Sequence, residues 1–513
     1  MYQERTQPQS IDRWRITGRI KTGSPLHVGD GNRVLISERD CERKSLDRAD
    51  PKCATVFTTT DGRPVIPATS LKGALRAWAE AHNLDELLIA EVFGSPSAGG
   101  SVTFHDATLA AALQPADTSV RFWCADRSTA LSPQVVIDAT TRTAEEGLLY
   151  YVEYVPEGAE FTLAVTGHNA TYRQRSFLLY VLEKAFSSEG RPARLGSQLA
   201  NGWGQVSWSR TGLEALNVKA WLAAPPQPWH KGLKAIDAAT EAKWLAGMEE
   251  FQGKAKWDGR RVQLRLTLEF DGAMLVNDPT RRKKADQNGK GAVGHAMIRK
   301  EDGAVYLPAR SVRGAFRAQA RRIWQTLAWD NPDQNASETR STNAPRKGDE
   351  KRLAGFGKAF GATGWRAPVE FQDFRLAESA KPEERPQEFV AVDRFTGGAA
   401  NEKKFNAHGL WRPKFSGSVT IRADRWEGAG AEPWAWLLLA FTLRDWVDGD
   451  GMIGFGKSKG YGAFRARCEV LTAGQEADLL RGILQRNGAI LASAELAEWG
   501  RSLESVARGK EAA

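Results

Sequence analysis

Apolar and polar positions alternate from residue 13 to 21 (Trp14, Ile16, Ile20), the period of a strand with one covered face. After Pro67 the period changes. Leu71, Leu75 and Trp78 recur at helical spacing in ATSLKGALRAWAEA, with Ser70 or Thr69 as the expected N-cap. VTFHDATL (102–109) and EFTLAVTG (160–167) alternate again as strands. RQRSFLLYVLEKAF (173–186) reads as an amphipathic helix, as does WAWLLLAFTLRDWV (434–447), and Trp434, Trp436 and Trp446 are expected as helix-core packing. A glycine-rich block and a final short strand follow. The order strand, helix, strands, helix, strand predicts an α+β unit of ferredoxin-like, RRM-like topology.

The pattern occurs twice. RWRITGRIKTGSPLHVGDG (13–31) parallels RVQLRLTLEFDGAMLVNDP (261–279), and GRPVIPATSLKGALRAWAE (62–80) parallels GAVYLPARSVRGAFRAQAR (303–321). VVIDATTRTAEEGLLY (135–150) pairs with VAVDRFTGGAANEKKF (390–405), and LGSQLANGWGQVSW (195–208) with IGFGKSKGYGAFRA (453–466). IAEVFGSPSAGGSVTFHDATL (89–109) also resembles LAGFGKAFGATGWRAPVEFQDFRL (353–376). The expected organisation is a first domain over 11–212, a linker with a helix over 213–257, a second domain over 258–470 and a C-terminal helical extension over 471–513. The polar stretch 329–351 reads as a mobile loop.

Composition narrows the class. With 513 residues, 42% apolar and 26% charged, the chain is long enough for two cores and is not disordered in bulk. It has no apolar run of membrane-spanning length and no secretory h-region at the N-terminus, so a cytoplasmic location and no membrane partner are expected. Lys and Arg number 71 against 62 Asp and Glu, a net charge of +9, compatible with a nucleic-acid partner. Four cysteines (Cys41, Cys53, Cys124, Cys468) suit a reducing compartment. Cys41 and Cys53 are too far apart for a zinc knuckle and no CxxC occurs, so no structural zinc is expected and the thiols read as buried.

Three repeated motifs carry candidate chemistry. At the helix start, which Ser70 opens, Lys72 and Arg76 recur as Arg313 and Arg317, with Arg310 just before the second helix. Free helix amides plus cations one turn apart would hold phosphates; otherwise the serine caps and the cations are solvated. In the glycine-rich block, Asn201 and Trp203 match Lys457, Lys459 and Tyr461; the aromatic between glycines either stacks on a base or plugs the core. The third motif, with Asp138 and Arg142 in one copy and Asp393 and Arg394 in the other, opens a long hairpin. That hairpin is either a surface meander or a finger that inserts between bases.

LHVGDG, VIPATSLKGALR, VFGSP…GSVTFHDATL, VVIDATTRTAEEGLLYYVEYVPEGAEF and LGSQLANGWGQV, with YLPARSVRGAFR, VAVDRFTGGAANEKKF and GFGKSKGYG, together resemble the RAMP superfamily of CRISPR effector proteins. More narrowly, they resemble two fused type III (Csm/Cmr-type) backbone subunits, as in type III-D and III-E systems. The resemblance covers about 410 residues in two repeats. It implies tandem RAMP domains, each with a protruding β-hairpin thumb, in an antiviral defence ribonucleoprotein. The implied partners are CRISPR RNA, target RNA and other effector subunits. It also implies target-RNA cleavage by an aspartate between the first strand and first helix, supported by a divalent metal ion such as Mg2+. The long first loop holds Asp30, Asp40, Asp47, Asp50 and Asp61; the order of preference is Asp50, then Asp47, then Asp40. In the second repeat the candidate is Asp286, beside Arg281, Arg282, Lys283 and Lys284, which either hold RNA or are a solvated charge run. His27 is replaced by Leu275 in the second copy, which argues against a shared histidine acid–base role. Two other readings stay open: a non-catalytic guide-RNA-binding subunit, and a stand-alone CRISPR RNA processing nuclease.

Overall fold

The computed structural model describes residues 13–35, 52–115, 122–137, 144–187, 191–223, 228–254, 260–278, 294–327, 355–362, 365–377, 383–431 and 434–508. The chain divides into two compact units: one runs to Asp258, and the other from Gly259 onward with Pro115–Arg121 and Ala200–Gly202 added.

In the first unit the main sheet strands are β1 (Arg13–Thr22), β2 (Val102–Phe104), β5 (Glu160–His168) and β6 (Val206–Leu216). Helices α1 (Ala68–Ala81) and α2 (Tyr172–Ala185) complete the frame. β1 lies antiparallel between β5 and β6, and β2 pairs with the far side of β5. The spatial order β6–β1–β5–β2 places the fourth strand beside the first and the third next to the second, which is ferredoxin-like. The alternation in β1 buries Trp14, Ile16 and Ile20 against the helices. α2 begins with a capping box, Thr171 with Gln174, and buries Phe177 through Leu182.

The second unit repeats this with β7 (Arg261–Phe270), β8 (Val369–Phe371), β11 (Lys414–Arg422) and β12 (Ala463–Val470), and with α3 (Ala309–Leu327) and α4 (Trp434–Asp448). β7 lies between β11 and β12, and β8 pairs with β11. Trp434, Trp436 and Trp446 are buried in its core, as their spacing predicts.

The repeated hairpins stand off the main sheets in sheets of their own. β3 (Thr129–Ile137) with β4 (Ala144–Tyr154) forms the first finger, and β9 (Glu383–Val392) with β10 (Ala399–Trp411) the second. Each finger's second strand also takes a short parallel strand returning from the loop after β1 or β7: Cys53 opposite Tyr151, and His295 opposite Ala407.

Several local expectations change. No residue at the helix start itself supplies a side-chain cap: Pro67 sits at the N-cap position, and neither Ser70 nor Thr69 caps. VTFHDATL is two short strands split at His105–Asp106, not one. The final strand of the first unit is 11 residues long rather than short. The segment read as a linker supplies an edge strand (Leu233–Ala235) on β6, and it buries Trp244 and Phe251 in the first core. Past β12, helices α5 (Gln475–Leu484) and α6 (Ala494–Ala507) pack Leu480, Ile483, Leu503 and Ala507 into the second core. The 329–351 stretch lies outside the described residues, and among the described residues no helix is long and apolar enough to cross a membrane.

Candidate nucleic-acid interface

Register places the repeated motifs at one end of each sheet. In the first unit Thr22 lies opposite Val206, Lys21 opposite Glu160, Phe161 opposite Leu109, and Ile66 opposite Ala107. The exit of β1, the glycine block, the finger root and the start of α1 therefore share that end. In the second unit the matching pairs are Phe270 with Phe464, Glu269 with Lys414, Phe415 with Leu376, and Leu307 with Phe374.

The glycine blocks adopt one geometry twice. Ser197 N donates to the His27 carbonyl at 2.9 Å, and Gly204 N to Pro25 O at 2.9 Å. Phe455 N donates to Leu275 O at 2.7 Å, and Gly462 N to Ala273 O at 2.8 Å. Gly196 (φ +77°) and Gly454 (φ +95°) each leave no space for a Cβ, which would stand 2.2 Å from the carbonyl oxygen of His27 or Leu275. The close approach is to the chain's own first loop.

The two aromatics between the glycines take the core-plug role. Trp203 is buried with its ring 5.2 Å from Tyr154, and Tyr461 is buried and donates its hydroxyl hydrogen bond to Gln387 Oε1 at 2.5 Å. Burial inside the glycine turn leaves neither ring face for a base. Each pins its block to the finger.

At the helix starts a carboxylate already occupies the first amide. Ala68 N donates to Asp106 Oδ1 at 2.7 Å, and Ala309 N to Asp373 Oδ1 at 2.9 Å. A built-in anion there offsets the positive helix end, so phosphate attraction falls to the side chains. Ser70 and Lys72 are partly exposed. Arg76 is committed within its own unit, to Glu80 at 2.7 Å and the Gly94 carbonyl at 2.6 Å. In the second unit Arg310 is half-buried, and the Arg317 guanidinium lies 5.4 Å from the Phe356 ring. Arg313 donates to Asn201 Oδ1 at 3.1 Å, and burial, with Arg317 nearby, lowers its pKa.

At the tip of the second finger Asp393 accepts hydrogen bonds from Thr396 N at 2.8 Å and Phe395 N at 2.9 Å, which hold its carboxyl below the usual carboxylate range. It builds the turn that presents exposed Arg394 and a fully exposed Phe395. Asp138 and Arg142, the first-finger counterparts, lie outside the described residues. Lys457 and Lys459 are exposed on the second glycine block.

Asp50, Asp47, Asp40 and Asp286 also lie outside the described residues. Of the other first-loop carboxylates, Asp30 accepts from Thr55 Oγ1 at 2.6 Å, and Asp61 accepts from Arg63 Nε at 2.7 Å. Among the described residues no three His, Cys, Asp or Glu side chains are placed to hold a metal ion. Cys53 is buried beside Phe122, Leu131 and Tyr151 at the finger base, with Cys124 packed against them.

The sequence reading missed Glu153. It is 0% exposed on β4, accepting from Thr129 Oγ1 at 2.8 Å and from Val56 N at 3.0 Å, with Arg127 at 3.8 Å. Its carbonyl accepts from His27 Nδ1 at 2.6 Å. One residue thus ties both ends of the first loop to the finger. By the offset that matches Tyr150 to Phe405, its counterpart in the second finger is His408.

No curated protein matches the chain. The family profile of the RAMP superfamily matches residues 19–207 and 291–465, one stretch in each repeat and more than half of the chain together. RAMP proteins are CRISPR-associated RNA-binding modules, and the paired fingers, glycine blocks and helix starts are where this chain repeats itself. The chain belongs to the RAMP superfamily.

Proposed function

We propose that the chain is a backbone subunit of a type III CRISPR ribonucleoprotein effector, two units fused in tandem, which grips CRISPR RNA and cleaves the paired target RNA. The observation that carries this reading is the same finger, glycine block and helix start gathered at one sheet end in both repeats. Two equal grips in one chain suit a periodic ligand such as an RNA backbone. The fingers end in groups that unstack bases: Val135, Val136, Ile137, Leu148 and Leu149 are exposed on the first, Phe395 on the second.

In this reading each finger inserts between bases and kinks the guide–target duplex. At the kink a ribose 2′-OH lines up with the neighbouring phosphorus. Asp50, with Asp47 and Asp40 as alternatives, and Asp286 in the second unit, would stand at the scissile linkage. A divalent ion such as Mg2+ held by these carboxylates would offset charge developing on the phosphate oxygens.

The test is target-RNA cutting by the purified assembled complex with Asp50→Ala, Asp286→Ala and both. Loss of particular fragments with target binding retained supports the cleaving subunit. A fragment pattern unchanged in the double variant, and again when Asp47→Ala and Asp40→Ala are added, assigns the chain the non-catalytic, guide-binding role.

A further inference from the structure

At the root of the second finger three phenylalanines converge from three segments: Phe389 on β9, Phe405 on β10 and Phe455 in the glycine block. Phe389 and Phe405 stack at 5.0 Å and 16°, and Phe455 meets Phe405 edge-on at 6.5 Å and 84°. His295 stacks on Phe455 at 4.3 Å and 30°. All four are only partly buried. Their cover is a charge: the exposed Lys459 ammonium stands 5.2, 4.7 and 5.2 Å from the centroids of Phe389, Phe405 and Phe455. A hydrophobic core is closed by apolar side chains; a ring cluster lidded by one solvent-facing ammonium is closed by a weak, displaceable contact.

The first unit lacks this cluster at the matching positions. Gln134 faces Tyr150 where Phe389 faces Phe405, and Ser197 and Asn201 stand in the places of Phe455 and Lys459. Gln134 accepts there from the Tyr150 hydroxyl at 2.8 Å and from Gln198 Nε2 at 3.3 Å, a polar network instead of ring faces. The fold therefore does not require the aromatic set.

We propose that the Phe389–Phe405–Phe455–His295 cluster is a stacking site for one unstacked nucleobase of bound RNA, with Lys459 as its lid. The base takes the ring faces that Lys459 covers in the free protein. The freed ammonium then pairs with the phosphate next to that base, so displacement exchanges a cation–π contact for a charge-assisted one. The site gives the second unit a base contact that the first does not have. This inference rests on the reading that the chain grips RNA.

The experiment uses the full chain and a short single-stranded RNA with one 5-iodouridine moved along it, irradiated after binding and mapped by peptide mass spectrometry. The expected result is a photo-adduct on Phe405 or Phe455 from a single uridine position. Phe455→Leu should cut that adduct about tenfold or more and weaken RNA binding about 5- to 150-fold, the range of one lost base–aromatic stack. Lys459→Met should keep the adduct and make the salt dependence of binding shallower by about 0.7 in log–log slope, one single-strand phosphate contact. Should Phe455→Leu melt early, Phe389→Leu carries the same readout. RNA that binds but gives adducts only elsewhere, or an adduct unchanged in the leucine variants, overturns the stacking site. Wild-type chain that fails to bind RNA even at low salt overturns the RNA-gripping reading beneath it.

Discussion

Glu153 is the side chain whose removal the first finger should feel most. Truncation would leave Val56 N and Thr129 Oγ1 without an acceptor in a dry site and Arg127 without its nearest anion. Glu153→Ala is expected to cost about 3 kcal/mol, read as a lower urea midpoint for the first unit. Asp393 gives a pH-dependent counterpart on the second finger. Hydrogen bonds from Thr396 N and then Phe395 N lower its pKa, so its contribution to the tip turn is present above the unfolded Asp value of about 3.9 and is lost as pH falls through the lower folded value. The amide resonances of Phe395 and Thr396 should titrate below about pH 4, and Asp393→Asn should abolish that titration. The carboxylate role of Asp393 was not legible in the motif, because a turn-building aspartate and a ligand-facing one look alike until the backbone amides around them are placed.

Helices α1 and α3 show how an element's end is completed from elsewhere. The period of Leu71, Leu75 and Trp78 is local and predicts the helix well, since burial of one face drives it. Its cap is not local: Asp106 lies 38 residues downstream and reaches Ala68 N through the break between two strands. Asp106→Asn should cost about 1 kcal/mol in melting, as a weakened helix-terminal anion does. The same change removes a negative charge from the interface and should raise RNA affinity in a filter-binding assay. A fall in affinity would mean that the carboxylate itself contacts RNA. The glycine blocks carry the same lesson: their pairing was visible as a repeat, but the partner they approach is a carbonyl about 170–180 positions earlier.

Across the molecule, each unit encloses its own hydrophobic core. The first core draws Trp244 and Phe251 from beyond its last long strand, with Trp14 meeting Trp244 edge-on at 6.1 Å. Trp244→Ala is expected to cost about 3–5 kcal/mol and to lower only the melting transition of the first unit, which calorimetry would resolve. A linker reading came naturally from the Pro/Trp-rich composition of that stretch. Composition does not report that a tryptophan has found a place in a neighbouring core.

The chain's order of elements, its duplication and its membership of an RNA-binding family are encoded in short-range periodicity and in motifs repeated in register, each readable without knowing what touches what. Which aromatics are plugs and which form an open ring cluster was decided by tertiary structure alone. Trp203 and Tyr461 turn inward because the flanking glycines bend the backbone onto a distant carbonyl, whereas Phe389, Phe405 and Phe455 become one cluster only when two finger strands and the glycine block are brought together. Side-chain periodicity follows from backbone geometry within a few residues; a ligand face is a sum over segments far apart in sequence, set by how those segments pack.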